Sequence, residues 1–147
     1  MKDKIITNNL RPVFLFDNDD FYGLTLDLVL YNLNQPNSIK ISTKLDSDRF
    51  FSDLKGKKYI HGIYIVDEYF TAINLINSEL LKLIKANDPQ STLISYTVSD
   101  PTEVIDKELY DMYVLKSGLE NSKSIIKVLS EILGIDFIVN NNEPENE

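Results

Sequence analysis

The chain reads as one α/β domain, a parallel β-sheet with helices on its faces, and three features predict this. Short runs of β-branched and aromatic residues alternate with longer amphipathic stretches, the pattern that builds strand-helix units onto a parallel sheet. The first run, Val13-Phe-Leu-Phe16, is apolar at every position, as a central strand covered on both faces must be. The chain's 147 residues, none of them cysteine, suffice for a single core that needs no disulfide or metal staple.

Each element has its own signal. After the first strand a helix starts at about Asp20, with Leu26, Val29, Leu30 and Leu33 at helical spacing and the carboxylates of Asp19 and Asp20 suited to its positive amino end. Asn34-Gln-Pro36 stops it. Ser38-Ile-Lys-Ile-Ser42 alternates polar and apolar residues, which predicts an edge strand exposed on one side, and a short helix around Asp48 to Leu54 should end at Gly56. Ile60-His-Gly-Ile-Tyr-Ile-Val66 is the third strand, and polarity switches abruptly at Asp67-Glu68. A third helix carries Ile73, Ile76, Leu80, Leu83 and Ile84 along one face until Asn87-Asp-Pro89 ends it. Leu93-Ile-Ser-Tyr-Thr97 is the fourth strand. Asp100-Pro-Thr-Glu103 then supplies a helix N-cap, a proline at the first helical position and a reciprocal capping glutamate. Met112-Tyr-Val-Leu115 is the fifth strand, and Ser117-Gly-Leu-Glu120 is a second capping-box pattern leading into Ile125, Ile126, Leu129, Ile132 and Leu133. Ile135, Phe137, Ile138 and Val139 pack on this last helix or meet a partner. The expected division is an N-terminal extension over 1–11, the domain over 12–135, and an acidic, disordered tail over 136–147.

Composition removes several functions. Net charge is −8, from 15 basic and 23 acidic side chains, so a phosphate backbone is repelled. The only dense basic cluster, Lys55, Lys57 and Lys58, has no interleaved aromatic residue and reads as a solvated turn, so direct nucleic-acid binding is not expected. One histidine and no cysteine exclude multi-histidine and thiolate metal sites and thiol catalysis. The apolar runs are strand-sized and the first residues carry no signal-length apolar stretch, so a cytoplasmic chain without membrane insertion is expected.

The polar residues at strand ends carry the chemistry. Asp17, Asn18 and Asp19 leave the first strand, Asp67 and Glu68 the third, Thr97 closes the fourth and Lys116 follows the fifth. Open α/β sheets bind ligands outside the carboxyl ends of their strands. Carboxylates within about 4 Å of each other repel by several kcal/mol at an effective dielectric near 20, so such a group binds a cation or takes up a proton. Mg²⁺ fits, because it favours oxygen ligands and is commonly completed by phosphate oxygens, while a lysine and a hydroxyl hold the remaining oxygens.

From about Val13 to Leu133 this order of residues resembles the receiver domain of two-component response regulators. The resemblance implies a flavodoxin-like (βα)5 doubly wound parallel sheet with strand order 2-1-3-4-5. It implies a phosphoprotein rather than an enzyme, phosphorylated on Asp67 by a sensor histidine kinase or histidine phosphotransfer protein. Asp17, Asn18, Asp19, Asp67 and the backbone carbonyl of Tyr69 would hold Mg²⁺. Lys116 would pair with a phosphoryl oxygen, Thr97 would supply the switch hydroxyl and Tyr113 the switch aromatic. The surface around the fourth helix and fifth strand would then meet a downstream protein. The length leaves no room for a DNA-binding output domain, so a stand-alone receiver is expected.

Other readings stand beside this one. Asn18 occupies the place of the family's second metal-binding acid, the loop Glu68-Tyr-Phe-Thr-Ala-Ile-Asn74 lacks the usual proline and glycine, and Ser117 follows Lys116 where proline is common. These departures describe a pseudo-receiver, an interaction module without productive phosphorylation. Residue by residue, Asp67, Asn18, Asp19 and Asp20 also suit helix capping, Thr97 suits any strand and Tyr113 suits half-buried packing. His61, at the far end of its strand from Asp67, reads as structural. Phe14-Leu-Phe-Asp17-Asn-Asp19 also resembles the nucleophile and acid/base pair of haloacid-dehalogenase-type phosphatases. Against that, the usual threonine after the pair is missing, Lys116 follows the candidate later acid Asp67 rather than preceding it, and no cap domain fits.

Overall fold

Every residue of two four-residue strands, Val13–Phe16 and Ile63–Val66, is buried, which only a sheet covered on both faces allows. The computed structural model describes residues 11–18, 20–56, 61–67, 70, 77–97, 106–115 and 121–134. The elements are β1 (Val13–Phe16), α1 (Asp20–Asn32), β2 (Ile39–Ile41), α2 (Lys44–Lys55), β3 (Ile63–Val66), α3 (Asn77–Asn87), β4 (Thr92–Thr97), a 3-10 helix (Lys107–Leu109), β5 (Met112–Leu115) and α4 (Asn121–Leu133). All strand pairs are parallel and the order is β2-β1-β3-β4-β5.

Strand alternation splits the core into two layers. Val13, Leu15, Ile63, Ile65, Ile94, Tyr96 and Val114 face α1 and α4, meeting Leu26, Leu30 and Leu129. Phe14, Phe16, Tyr64, Val66 and Leu93 face α2 and α3, meeting Phe50, Leu54 and Ile84. The Phe14 and Tyr64 rings stack with centroids 4.7 Å apart, and Phe50 meets Phe14 edge-on at 5.4 Å.

Local chemistry sets the boundaries. Asn34 takes the left-handed conformation, φ 59°, while the N–H groups of Asn34 and Gln35 donate to the carbonyls of Tyr31 and Leu30, the paired bonds that close a helix in a Schellman turn. The second helix starts at Lys44 and not near Asp48. Its added turn comes from a capping box in which the Asp46 N–H donates to Thr43 Oγ1 while the Asp46 carboxylate accepts the Thr43 N–H. The edge strand is also narrower than its sequence pattern. Ser38 is buried because its N–H and hydroxyl both donate to Asp27 on α1, leaving Ile39 39% exposed.

The third strand begins at Ile63, three residues later than its apolar run. His61 is left-handed, φ 65°, and its N–H and that of Gly62 donate to the Asp88 carboxylate, each at 2.9 Å. The same carboxylate accepts the Tyr64 hydroxyl. A Cβ on Gly62 would stand 2.7 Å from the Tyr64 ring, so only glycine fits there. Arg11 donates to the carbonyls of His61 and Gly62 and to Thr92 Oγ1, tying the amino edge of the sheet together.

On α3, Leu80 and Ile84 are buried together with Leu81, and Leu83 is partly buried. On α4, Ile125, Leu129 and Leu133 are buried, and Gly134 at φ 68° follows the last turn. Ile73, Ile76, Lys57, Lys58, both capping-box patterns after β4 and β5, and the segments 1–10 and 135–147 lie outside the described residues. Between β4 and β5 the described helical element is the 3-10 turn. No helix among the described residues is long and apolar enough to cross a membrane.

Candidate functional site

In parallel strands, residues that follow a registered pair emerge side by side. Phe16 pairs with Val66, so Asp17 and Asp67 leave β1 and β3 at one level, on backbones about 4.8 Å apart. The Asp67 N–H still donates to the Phe16 carbonyl at 3.0 Å, and the Asp17 N–H to that of Ile41 at 3.4 Å. The ladder thus holds both acids at the carboxyl edge. Asp17 is 3% exposed and Asp67 is half-buried, while Asn18 faces solvent.

The other half of the edge comes from β4 and β5. Thr97 is the last residue of β4 and pairs with Leu115, the last of β5. Tyr113 lies two positions earlier, 37% exposed. Its hydroxyl donates to the Lys107 carbonyl in the 3-10 helix, and its ring tilts against Tyr110 at 6.1 Å. Tyr113 therefore packs at the sheet's edge. Because Val66 pairs with Ser95, Tyr96 stands level with Asp67, and its ring meets Tyr22 of α1 edge-on at 5.9 Å. Asp19, Tyr69 and Lys116 lie outside the described residues. The structure thus brings Asp17, Asp67 and the backbone of Thr97 to one edge, with Asn18 beside them.

Two residues with no role in the sequence reading shape the turn after β3. The Asp67 carbonyl accepts both the Phe70 N–H at 3.0 Å and the Asn77 side-chain amide at 3.2 Å. Phe70 is 4% exposed and meets the Phe16 ring edge-on at 5.5 Å. An asparagine ten residues downstream of a strand-end acid was the available signal, since asparagine side chains readily bond to backbone groups.

Among the described residues no three or more acidic, histidine or cysteine side chains group as metal ligands; Asp17 and Asp67 are two. Their donor set suits a hard divalent cation. Two carboxylates on adjacent strands, one of them nearly sealed from water, supply the oxygen ligands such a cation favours.

No family model matches the chain, and no curated protein does. Solved structures do. A response regulator receiver protein from Burkholderia phymatum aligns over 88% of this chain and 99% of its own, with TM-score 0.66 and 20% identity. The beryllium-fluoride-activated receiver domain of DrrB from Thermotoga maritima aligns over 85% and 98%, with TM-score 0.64 and 20% identity. A putative pilus assembly protein from Burkholderia thailandensis aligns over 85% and 99%, with TM-score 0.60 and 7% identity. What these share with the chain is the fold, the flavodoxin-like sheet of receiver domains with order 2-1-3-4-5.

Proposed function

We propose that the chain is a response-regulator receiver that accepts a phosphoryl group on Asp67 from a phosphohistidine of a sensor histidine kinase or phosphotransfer protein. One observation carries this: the register of β1 and β3 sets the buried Asp17 beside the half-buried Asp67 at the carboxyl edge. A carboxylate oxygen of Asp67 attacks phosphorus, the P–N bond breaks, and its electron pair returns to the imidazole, leaving an acyl phosphate. Asp17 and Asp67 would hold Mg²⁺, with Asn18, Asp19 and the Tyr69 carbonyl as further ligands. The ion would supply positive charge to the phosphoryl oxygens.

Lys116 would pair with a phosphoryl oxygen and Thr97 with another. Tyr113 would leave the Lys107 carbonyl and turn inward, carrying the change to β5 and the segment before it, where a downstream protein would bind. Such a chain would work in the cytoplasm, as a signalling domain and not as an enzyme. The uncharged, exposed Asn18 beside Asp17 supports a second reading, the pseudo-receiver that keeps the surface without the chemistry.

Incubation with Mg²⁺ and a small acyl phosphate, followed by intact mass, separates the two. The receiver reading expects one phosphoryl adduct on the wild type and none on Asp67→Asn. An unmodified wild type, or an undiminished adduct on Asp67→Asn, refutes it.

A further inference from the structure

The bonds around the Asp67 main chain form a closed circuit. Its N–H donates to the Phe16 carbonyl, its carbonyl accepts the Phe70 N–H and the Asn77 amide, and the Phe70 ring returns to pack on Phe16. Phe16 in turn directly precedes Asp17. One side chain from α3 therefore braces the backbone that leaves Asp67, and through Phe16 the strand end that carries Asp17.

The geometry points to Asn77 as a positioning residue for the Asp17–Asp67 pair, fixing the peptide after Asp67 so that both carboxylates face one cation or phosphoryl group. This rests on the receiver reading. It adds to that reading a residue that touches neither metal nor phosphorus. The amide is suited to the task, because a neutral donor braces a carbonyl without adding charge to an edge already crowded with acids. Phe70 is the hydrophobic half of the brace: a buried ring of this size holds its own N–H against the Asp67 carbonyl.

The test compares wild type, Asn77→Ala and Asn77→Gln, whose longer amide keeps a donor in reach. Amide hydrogen exchange reads the brace, and Mg²⁺ titration followed by amide chemical shifts reads the site. Asn77→Ala should speed exchange at the Phe70 amide by about tenfold, the worth of one net hydrogen bond, leave the amides of Leu81 and Ile84 at wild-type rates, and weaken Mg²⁺ binding several-fold. Asn77→Gln should fall between. Unchanged Phe70 exchange overturns the inference, and so does wild-type Mg²⁺ affinity with a loosened turn. A wild type that binds no Mg²⁺ and takes up no phosphoryl group removes the receiver reading instead, and the Phe70 amide alone then decides whether Asn77 braces the turn.

Discussion

Asp27 on α1 bonds to the edge strand, accepting the Ser38 N–H and hydroxyl, both at 2.8 Å, and the Lys40 ammonium. Burial would raise its pKa, but the Lys40 and Ser38 bonds outweigh burial and hold it below the usual carboxylate value. A pKa lower in the folded than in the unfolded chain stabilises above the unfolded value and loses that stability as pH falls through the folded one. Asp27→Asn should therefore cost about 1 to 2 kcal/mol at pH 7, and the deficit should shrink below about pH 4, as urea denaturation at the two pH values would read. Removing the Asp88 carboxylate should cost more, because of the donors it satisfies. It is 2% exposed and accepts two backbone N–H groups and the Tyr64 hydroxyl, so Asp88→Ala orphans three donors. About 3 kcal/mol or more of unfolding free energy should be lost, whereas Tyr64→Phe, which removes one donor and keeps the ring stack, should cost about 1 kcal/mol.

At the scale of an element, α1 is apolar on two sides. Leu26, Val29, Leu30 and Leu33 are buried, yet Leu24, Leu28 and Tyr31, spaced four and three residues apart on the opposite face, are 65%, 67% and 76% exposed. Leu26→Ala should cost about 2 to 5 kcal/mol as a core deletion, while Leu28→Lys should change stability by less than about 0.5 kcal/mol. Thermal melts of the two variants would separate the stripes. Helical spacing predicts a helix here correctly but cannot tell which stripe faces inward, because both satisfy the same period. In α2 the missed first turn has a different cause: Lys44, Asp46 and Ser47 give no apolar signal, and the turn is held by the capping bonds of Thr43 and Asp46.

At the scale of the whole molecule, neighbouring acids at the carboxyl edge couple the proposed function to stability. Mg²⁺ at ten times its dissociation constant should add about 1.4 kcal/mol, raising the melting temperature by about 3 to 6 °C for a domain of this size. Asp17→Asn should abolish that gain. Calorimetry with and without the metal measures both. The strand-helix alternation, the all-apolar β1 and the acids at the strand ends were legible from the chain alone, because periodicity and polarity are local properties. So were four of the five strands to within a residue. The buried Asp88, the left-handed His61 and the brace from Asn77 were not. Each depends on partners ten or more residues away, and a residue type alone does not reveal which distant donors it will meet. Residue order alone identified Asp67 as an acid at a strand end. The register of β1 against β3, a tertiary fact, decided that Asp17 stands beside it, because only pairing between distant segments can set two strand ends at one level.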